Sequence, residues 1–94
     1  MTQKFYVISY DLKNPGRDYT SLYDAIKSLG EWQHPLESTW LIYTKKDADT
    51  ITTIVRGNGN MDSNDLLFVC ALQIESRQGW LPKSVWDWIN SKVI

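Results

Sequence analysis

The eight residues KFYVISYD, Lys4 to Asp11, limit the possible folds of this chain more than any other stretch. They are rich in aromatic and β-branched side chains, and a polar loop with a Pro-Gly turn signal follows them. In a strand, Phe5, Val7 and Ser9 would share one face, and Tyr6, Ile8 and Tyr10 would share the other. Both faces are largely apolar, which predicts a central strand whose sheet is covered on both faces.

Three further segments have the periodicity of amphipathic helices. The first runs from about Tyr19 to Leu29, after the potential cap Asp18 and before the stop signal Gly30. The second is capped by Asp47 or Asp49 and stopped by the segment 57–59, with its apolar residues at Ile51, Ile54 and Val55. The third covers about 83–93, follows a proline, and has its apolar residues at Val85, Trp86, Trp88 and Ile89.

The remaining strands follow from three β-forming segments. Residues 31–35 and Thr39 to Thr44 predict a hairpin that turns near Pro35 to Glu37. Leu66 to Leu72 is a second strand that is apolar on both faces, so we expect it to be central as well and to pair beside the first.

The predicted order is therefore strand, helix, strand, strand, helix, strand, followed by a C-terminal helix or Trp-rich segment. This order indicates an α+β protein with a ferredoxin-like, split βαβ fold. A chain of 94 residues predicts a single domain over 1–94, with a core at about 4–72 and an extension at about 79–94. The two core helices cover one face of the sheet, so the other face needs the C-terminal segment, a second copy, or both. We therefore expect a homodimer.

Charge and cysteine content exclude several classes of protein. Ten Lys and Arg against eleven Asp and Glu give a net charge of -1, so no overall field attracts nucleic acid or an anionic membrane. Cys70 is the only cysteine and lies in an apolar run, which predicts a buried structural thiol and a reducing cytoplasm. No apolar run approaches the ~18 residues of a membrane span.

The chain resembles a known superfamily over roughly Lys4 to Leu72. The matching features are the strand Tyr6 to Leu12, Gly30 after the first helix, Gln33 and Ser38 to Ile42 of the hairpin, and the apolar strand that begins at Asp65. On these features it is similar to the second of the universal CRISPR-associated proteins and to the virulence-associated protein D toxins. It also resembles a narrower set of small bacterial and phage proteins, some of them labelled SinR-like.

The resemblance implies a cytoplasmic ferredoxin-like homodimer, with metal-dependent nuclease activity in some members and structural roles in others. Asp11 matches the strand-end aspartate of the superfamily. In a two-fold dimer, two Asp11 carboxylates could share Mg²⁺, which would make Asp11 the metal ligand and the catalytic residue of a ribonuclease or other nucleic-acid enzyme. Lys13 and Arg17 are then the candidate contacts to nucleic-acid phosphates, RNA or DNA.

Each of these residues also has a simpler interpretation. Asp11 could be a turn-forming aspartate, and Lys13 and Arg17 solvated loop charges. His34 is the only histidine, so a zinc site or a Ser-His-Asp triad is not expected, although a role in proton transfer near the hairpin stays open. The polar segment 60–65, with Asp62 and Asp65, is explained as a loop.

Two functions therefore stay open. The first is a dimeric protein that cleaves or binds nucleic acid with Mg²⁺ at Asp11. The alternative is a non-catalytic dimeric module that binds or regulates a partner protein or a small ligand, in which the Trp-rich C-terminal segment contacts a protein partner. A basic cleft around Asp11 would favour the first, and an exposed apolar patch would favour the second.

Overall fold

The fold is a four-stranded antiparallel sheet with helices on both faces, as described by a computed structural model over residues 2–93. The strands are β1 Lys4–Asp11, β2 Glu31–Leu36, β3 Thr39–Thr44 and β4 Leu66–Ala71. The helices are α1 Thr20–Lys27, α2 Ala48–Arg56 and α3 Lys83–Lys92, with a short 3-10 turn at Gly57–Gly59 after α2. The predicted order of elements is confirmed, with α1 shorter at both ends than its apolar periodicity suggested.

The strand order in the sheet is β2-β3-β1-β4, and every neighbouring pair is antiparallel. β1 is central, as its sequence predicted, and β4 does pair beside it. The prediction that β4 is also central is wrong, because β3 takes the other side of β1 and leaves β4 at an edge. This architecture is compatible with a ferredoxin-like fold.

The first face of the sheet packs against α1 and α2, and we call it the helix face. Its core consists of alternate residues of β1 and β3 together with the apolar residues of both helices. Its largest fully buried members are Trp40, Ile8, Leu22, Ile26, Leu29, Ile42, Ile51 and Val55. In this core the apolar residues of the helices, spaced about 3.6 residues apart, pack against the alternate apolar residues of the strands.

The second face of the sheet is covered at one end by α3. Val85 and Ile89 of this helix pack on Phe5 and Leu41 of the sheet, and all four side chains are buried. Trp86 and Trp88 add to this cluster, and the Trp88 ring meets that of Phe5 edge-on at 5.6 Å between centroids. The C-terminal segment is thus one cover of the second face, as the sequence allowed.

The cover does not extend over the whole second face. Phe68 of β4 is 61% exposed and Leu66 is 58% exposed. Cys70, on the same face of β4, is only half-buried, so its prediction as a buried thiol is wrong. The reason is the same for all three: β4 is an edge strand and α3 packs toward the other end of β1.

None of the helices described within 2–93 has the length and apolar character needed to cross a membrane.

Candidate functional site

The end of β1 places Asp11 beside exposed apolar side chains of β4. In the sheet register Asp11 lies opposite Leu66, and Ser9 lies opposite Phe68. Since side chains alternate along a strand, all four belong to the second face, and they line a shallow depression of about 250 Å³. We call Ser9, Asp11, Leu66 and Phe68 the strand-end patch. It combines one carboxylate with a solvent-exposed apolar surface.

Lys13 neutralises Asp11 directly. The Lys13 Nζ atom lies 2.7 Å from Asp11 Oδ2, and the side chains of both residues are substantially exposed. Exposed pairs of this kind stabilise a fold by less than about 1 kcal/mol, so the pair can open when another ligand competes. Asp11 and Lys13 are brought together as the sequence hypothesis required, although here the lysine binds the carboxylate itself.

Arg17 is held in place by the protein. Its guanidinium donates to the carbonyl oxygen of Gly59 and lies over the Tyr19 ring, 5.4 Å from the ring centroid. Both contacts draw the cation toward the turn that follows α2. Arg17 would have to give up the Gly59 carbonyl before it could bind a phosphate.

Asp65 is the carboxylate that organises this end of the molecule. It is 4% exposed, and its oxygens accept hydrogen bonds from the backbone nitrogen of Lys13 at 2.7 Å and that of Asp62 at 2.8 Å. The Tyr19 hydroxyl donates to the same carboxylate at 2.8 Å. Asp65 therefore connects the loop after β1, the start of α1 and the loop before β4.

The pKa of Asp65 reflects this position. Burial alone would raise it, but hydrogen bonds from the Lys13 and Asp62 backbone and from the Tyr19 hydroxyl favour the ionised form and lower the pKa below its ordinary value. Burial, together with the hydrogen bond to Asp65, raises the pKa of Tyr19. At neutral pH the pair is thus a carboxylate and a neutral phenol.

Sequence reasoning missed Asp65 and Tyr19 as a unit. Asp65 was explained as part of a polar loop and Tyr19 as a helix residue, because 46 positions separate them. One local signal was available, namely that Asp65 directly precedes a six-residue apolar strand and so lies close to the core.

On the helix face, the end of β1 carries a network of aromatic residues. Trp40 Nε1 donates to the Tyr10 hydroxyl at 3.0 Å, and burial raises the pKa of Tyr10. The His34 ring stacks on Trp40 with 3.8 Å between centroids, and its Nε2 atom lies 2.9 Å from the carbonyl oxygen of Glu37. His34 is therefore engaged in packing and in one hydrogen bond of the hairpin.

The same end of β1 opens into a cavity of about 380 Å³ between the hairpin and α1. It is lined by Tyr10, Asp11, Leu12, Tyr23, Glu37 and Ser38. Asp11 thus lines this cavity and is also part of the strand-end patch.

The carboxylates do not gather into a metal centre within one chain. Among residues 2–93 no three His, Cys, Asp or Glu side chains are close enough to hold one ion. Asp11 alone, with Lys13 on one of its oxygens, does not fit Mg²⁺, which takes hard oxygen ligands in octahedral geometry.

Comparison with known proteins provides a fold relationship. The crystal structure of a hypothetical protein, TT1823 from Thermus thermophilus, is similar with a TM-score of 0.59 and 22% sequence identity, over 85% of this chain and 95% of that chain. No protein-family model and no curated protein matches the sequence. The similarity concerns the fold alone.

Proposed function

We propose that this chain is a homodimeric binding module without catalysis of its own, in which two copies associate through the strand-end patch. The observation that carries the proposal is the exposure of Leu66 and Phe68 on the sheet face that α3 covers at its other end only. Large apolar side chains clustered on a small domain are typical of interaction sites. A second copy would cover them and complete the second face.

The charges around the patch support binding over catalysis. Asp11 is paired with Lys13, and Arg17 is held by Gly59 and Tyr19, so neither cation extends freely toward a phosphate backbone. With a net charge of -1, the chain has no compensating positive field.

A protein partner would bind through the segment before α3. Trp80 is fully exposed, whereas Trp86 and Trp88 pack on the sheet. Exposed tryptophans are enriched among the residues that dominate binding energy at interfaces. We propose Trp80 as the contact residue of this module.

Sedimentation velocity at about 100 μM tests the dimer and separates the two surfaces. We expect wild type and Trp80→Ser to sediment as dimers and Phe68→Asp as a folded monomer, with folding checked by circular dichroism. A monomeric wild type would refute the proposal. Dissociation by Trp80→Ser with retention of the dimer by Phe68→Asp would move the interface to the C-terminal segment.

The second candidate is a metal-dependent nuclease, in particular a ribonuclease, and its support is the position of Asp11. This carboxylate is exposed at the rim of the surface through which we propose that two copies meet. The nuclease requires the dimer, because only the Asp11 of a second chain would supply another carboxylate for Mg²⁺. In it, Lys13 and Arg17 would contact phosphates of RNA or DNA.

A cleavage assay distinguishes the two candidates. Labelled single-stranded RNA, duplex RNA and DNA would be incubated with wild type, Asp11→Ala and the matched control Asp24→Ala, in which an exposed carboxylate of α1 is removed. The nuclease candidate predicts Mg²⁺-dependent or Mn²⁺-dependent cleavage by wild type and Asp24→Ala only. Equal cleavage by all three, or none, leaves the binding module.

The proposal also covers the detailed fold, the family and the location of the protein. The order of elements and the strand order β2-β3-β1-β4 support a split βαβ, ferredoxin-like arrangement with α3 appended. We propose membership of the superfamily of the second universal CRISPR-associated protein on the residues matched in the sequence. We propose a cytoplasmic location because the single cysteine, Cys70, has no disulfide partner within the chain.

A further inference from the structure

A separate pocket lies at the opposite end of β1 from Asp11. It has a volume of about 250 Å³ and forms where β1 begins, β3 ends and α2 starts. Its lining consists of Thr2, Lys4, Tyr6, Thr44, Lys45 and Asp47. Neither of the candidate functions uses any of these residues.

Tyr6 lines the pocket and can supply it with a hydrogen-bond donor. The residue is only 5% exposed, because its ring is part of the helix-face core. Within 2–93 its hydroxyl makes no hydrogen bond to another residue, and no fully enclosed side-chain polar atom there lacks a partner, so the hydroxyl oxygen is not fully enclosed. Tyr6 is one of the residues that line the pocket. A ligand in the pocket would therefore replace water as the hydrogen-bond partner of this hydroxyl.

The two lysines of the lining are also free to bind. Within the described chain, neither Lys4 nor Lys45 forms an ion pair, unlike Lys13, Lys83 and Lys92. Lys4 lies directly opposite Thr44 in the β1-β3 register, and Lys45 follows Thr44, so both cations sit at one end of the sheet. The lining thus includes two lysines and one tyrosine.

The acidic residue of the lining, Asp47, makes a hydrogen bond within the protein. Asp47 caps α2, with Thr50 donating its backbone N–H to Oδ1 at 2.8 Å, and this bond lowers the Asp47 pKa. The Thr44 hydroxyl donates to the carbonyl oxygen of Leu29 and accepts from the Lys46 backbone. With two lysines and one aspartate, the formal charge of the lining is positive by one.

We propose that this pocket binds the phosphate group of a small anionic ligand, such as a phosphomonoester or pyrophosphate. The two ammonium groups would act as point charges toward the phosphate oxygens, and the Tyr6 hydroxyl would donate a directed hydrogen bond to one of them. The volume lies below the range usual for drug-sized ligands, so the substituent on the phosphate must be small. The site is independent of the dimer and of Asp11.

Two-dimensional NMR of the full-length protein at constant ionic strength tests this site. Inorganic phosphate, pyrophosphate and, as a different oxyanion, acetate would be titrated into wild type, Tyr6→Phe, Lys45→Gln and the control Lys27→Gln. Tyr6→Phe keeps the buried ring and removes only the hydroxyl. Lys27 is exposed on α1, and Lys27→Gln removes the same charge away from the pocket.

We expect phosphate and pyrophosphate to produce saturable shifts at the amides of Lys4, Tyr6, Thr44 and Lys45. Binding should weaken about fivefold in Tyr6→Phe, the loss expected for one hydrogen bond, and by at least as much in Lys45→Gln, with no change in Lys27→Gln. The proposal is overturned if the shifts do not saturate, if acetate binds as tightly as phosphate, or if Tyr6→Phe binds with wild-type affinity.

Discussion

At the scale of single residues, two aspartates at the same end of the molecule have opposite roles. Asp11 is exposed and bound to one flexible lysine, whereas Asp65 is buried and accepts hydrogen bonds from three other residues. A buried carboxylate with several donors contributes to stability, and removing its charge leaves those donors poorly paired. Folding therefore depends on Asp65, while Asp11 is free for a surface role.

The first prediction concerns the charge of Asp65. Asp65→Asn keeps the shape of the side chain but places an amide NH₂ against donor groups, so we expect the free energy of unfolding to fall by about 2–3 kcal/mol. Urea denaturation at pH 7 measures this. The matched control Asp24→Asn, on the exposed surface of α1, should stay within about 0.5 kcal/mol of wild type. Equal effects of the two substitutions would contradict the role given to Asp65.

The second prediction concerns the pH dependence of the same residue. The pKa of Asp65 is lower in the folded state than the value of about 3.9 in an unfolded chain. Its contribution is therefore complete above that unfolded value and is lost as the pH falls through the folded pKa. The stability difference between wild type and Asp65→Asn should shrink as the pH falls from 5 toward 2. A difference that grows in acid would show that the sign is wrong.

The limits of sequence reasoning are clearest at these residues. The alternation in β1 correctly assigned Tyr6 and Ile8 to the face opposite Phe5. The reason is that successive side chains of a strand point to opposite faces of the sheet. The Asp65 cluster could not be found in that way. Its bonds join loops far apart in the sequence, and the one local signal, the position of Asp65 directly before an apolar strand, does not identify its partners.

At the scale of elements, the same reasoning correctly predicted a central β1 and the pairing of β4 with it, but wrongly predicted that β4 is central as well. Both are apolar on both faces, which ordinarily indicates a central strand. β4 is at the edge, with Leu66 and Phe68 exposed. Proteins usually protect an edge strand with charged residues or proline, and β4 has neither. This supports the proposal that another chain covers β4. A single chain therefore leaves part of the apolar surface of β4 exposed, and in our proposal a second copy covers it.

Gly30 lies in a tight connection between two elements, whereas its position in the sequence predicted only the end of the first helix. It joins α1 to β2 so closely to β3 that a Cβ atom would lie 2.6 Å from the carbonyl oxygen of Tyr43. We predict that Gly30→Ala lowers the free energy of unfolding by about 1–3 kcal/mol, since the backbone of the connection must shift.

Thermal denaturation of Gly30→Ala beside Gly16→Ala checks this prediction. A Cβ at Gly16 meets nothing within 4 Å, so that variant should be neutral or stabilised by up to about 1 kcal/mol. If Gly16→Ala were the more destabilised of the two, close approach to Tyr43 could not be the reason for glycine at position 30.

At the scale of the whole molecule, the two faces of the sheet differ in completeness. The helix face is closed by α1 and α2, and its periodicity was readable in advance. The second face is closed by α3 at the Phe5 end only. The sequence did not indicate how much of this face α3 covers and how much is left for a second copy. The covered area depends on where α3 packs on the sheet, and no local sequence pattern predicts that position.

If a second copy completes this face, stability must depend on protein concentration. Dimer dissociation accompanies unfolding, so mass action raises Tm by roughly 3–5 °C for each tenfold increase in concentration of a chain this size. Calorimetry from 5 to 500 μM should show this rise for wild type and for Trp80→Ser. Phe68→Asp should lose it, because a carboxylate at the centre of the strand-end patch cannot be buried unpaired against its own copy. A wild-type Tm that is independent of concentration would contradict the closure of the second face by a second copy.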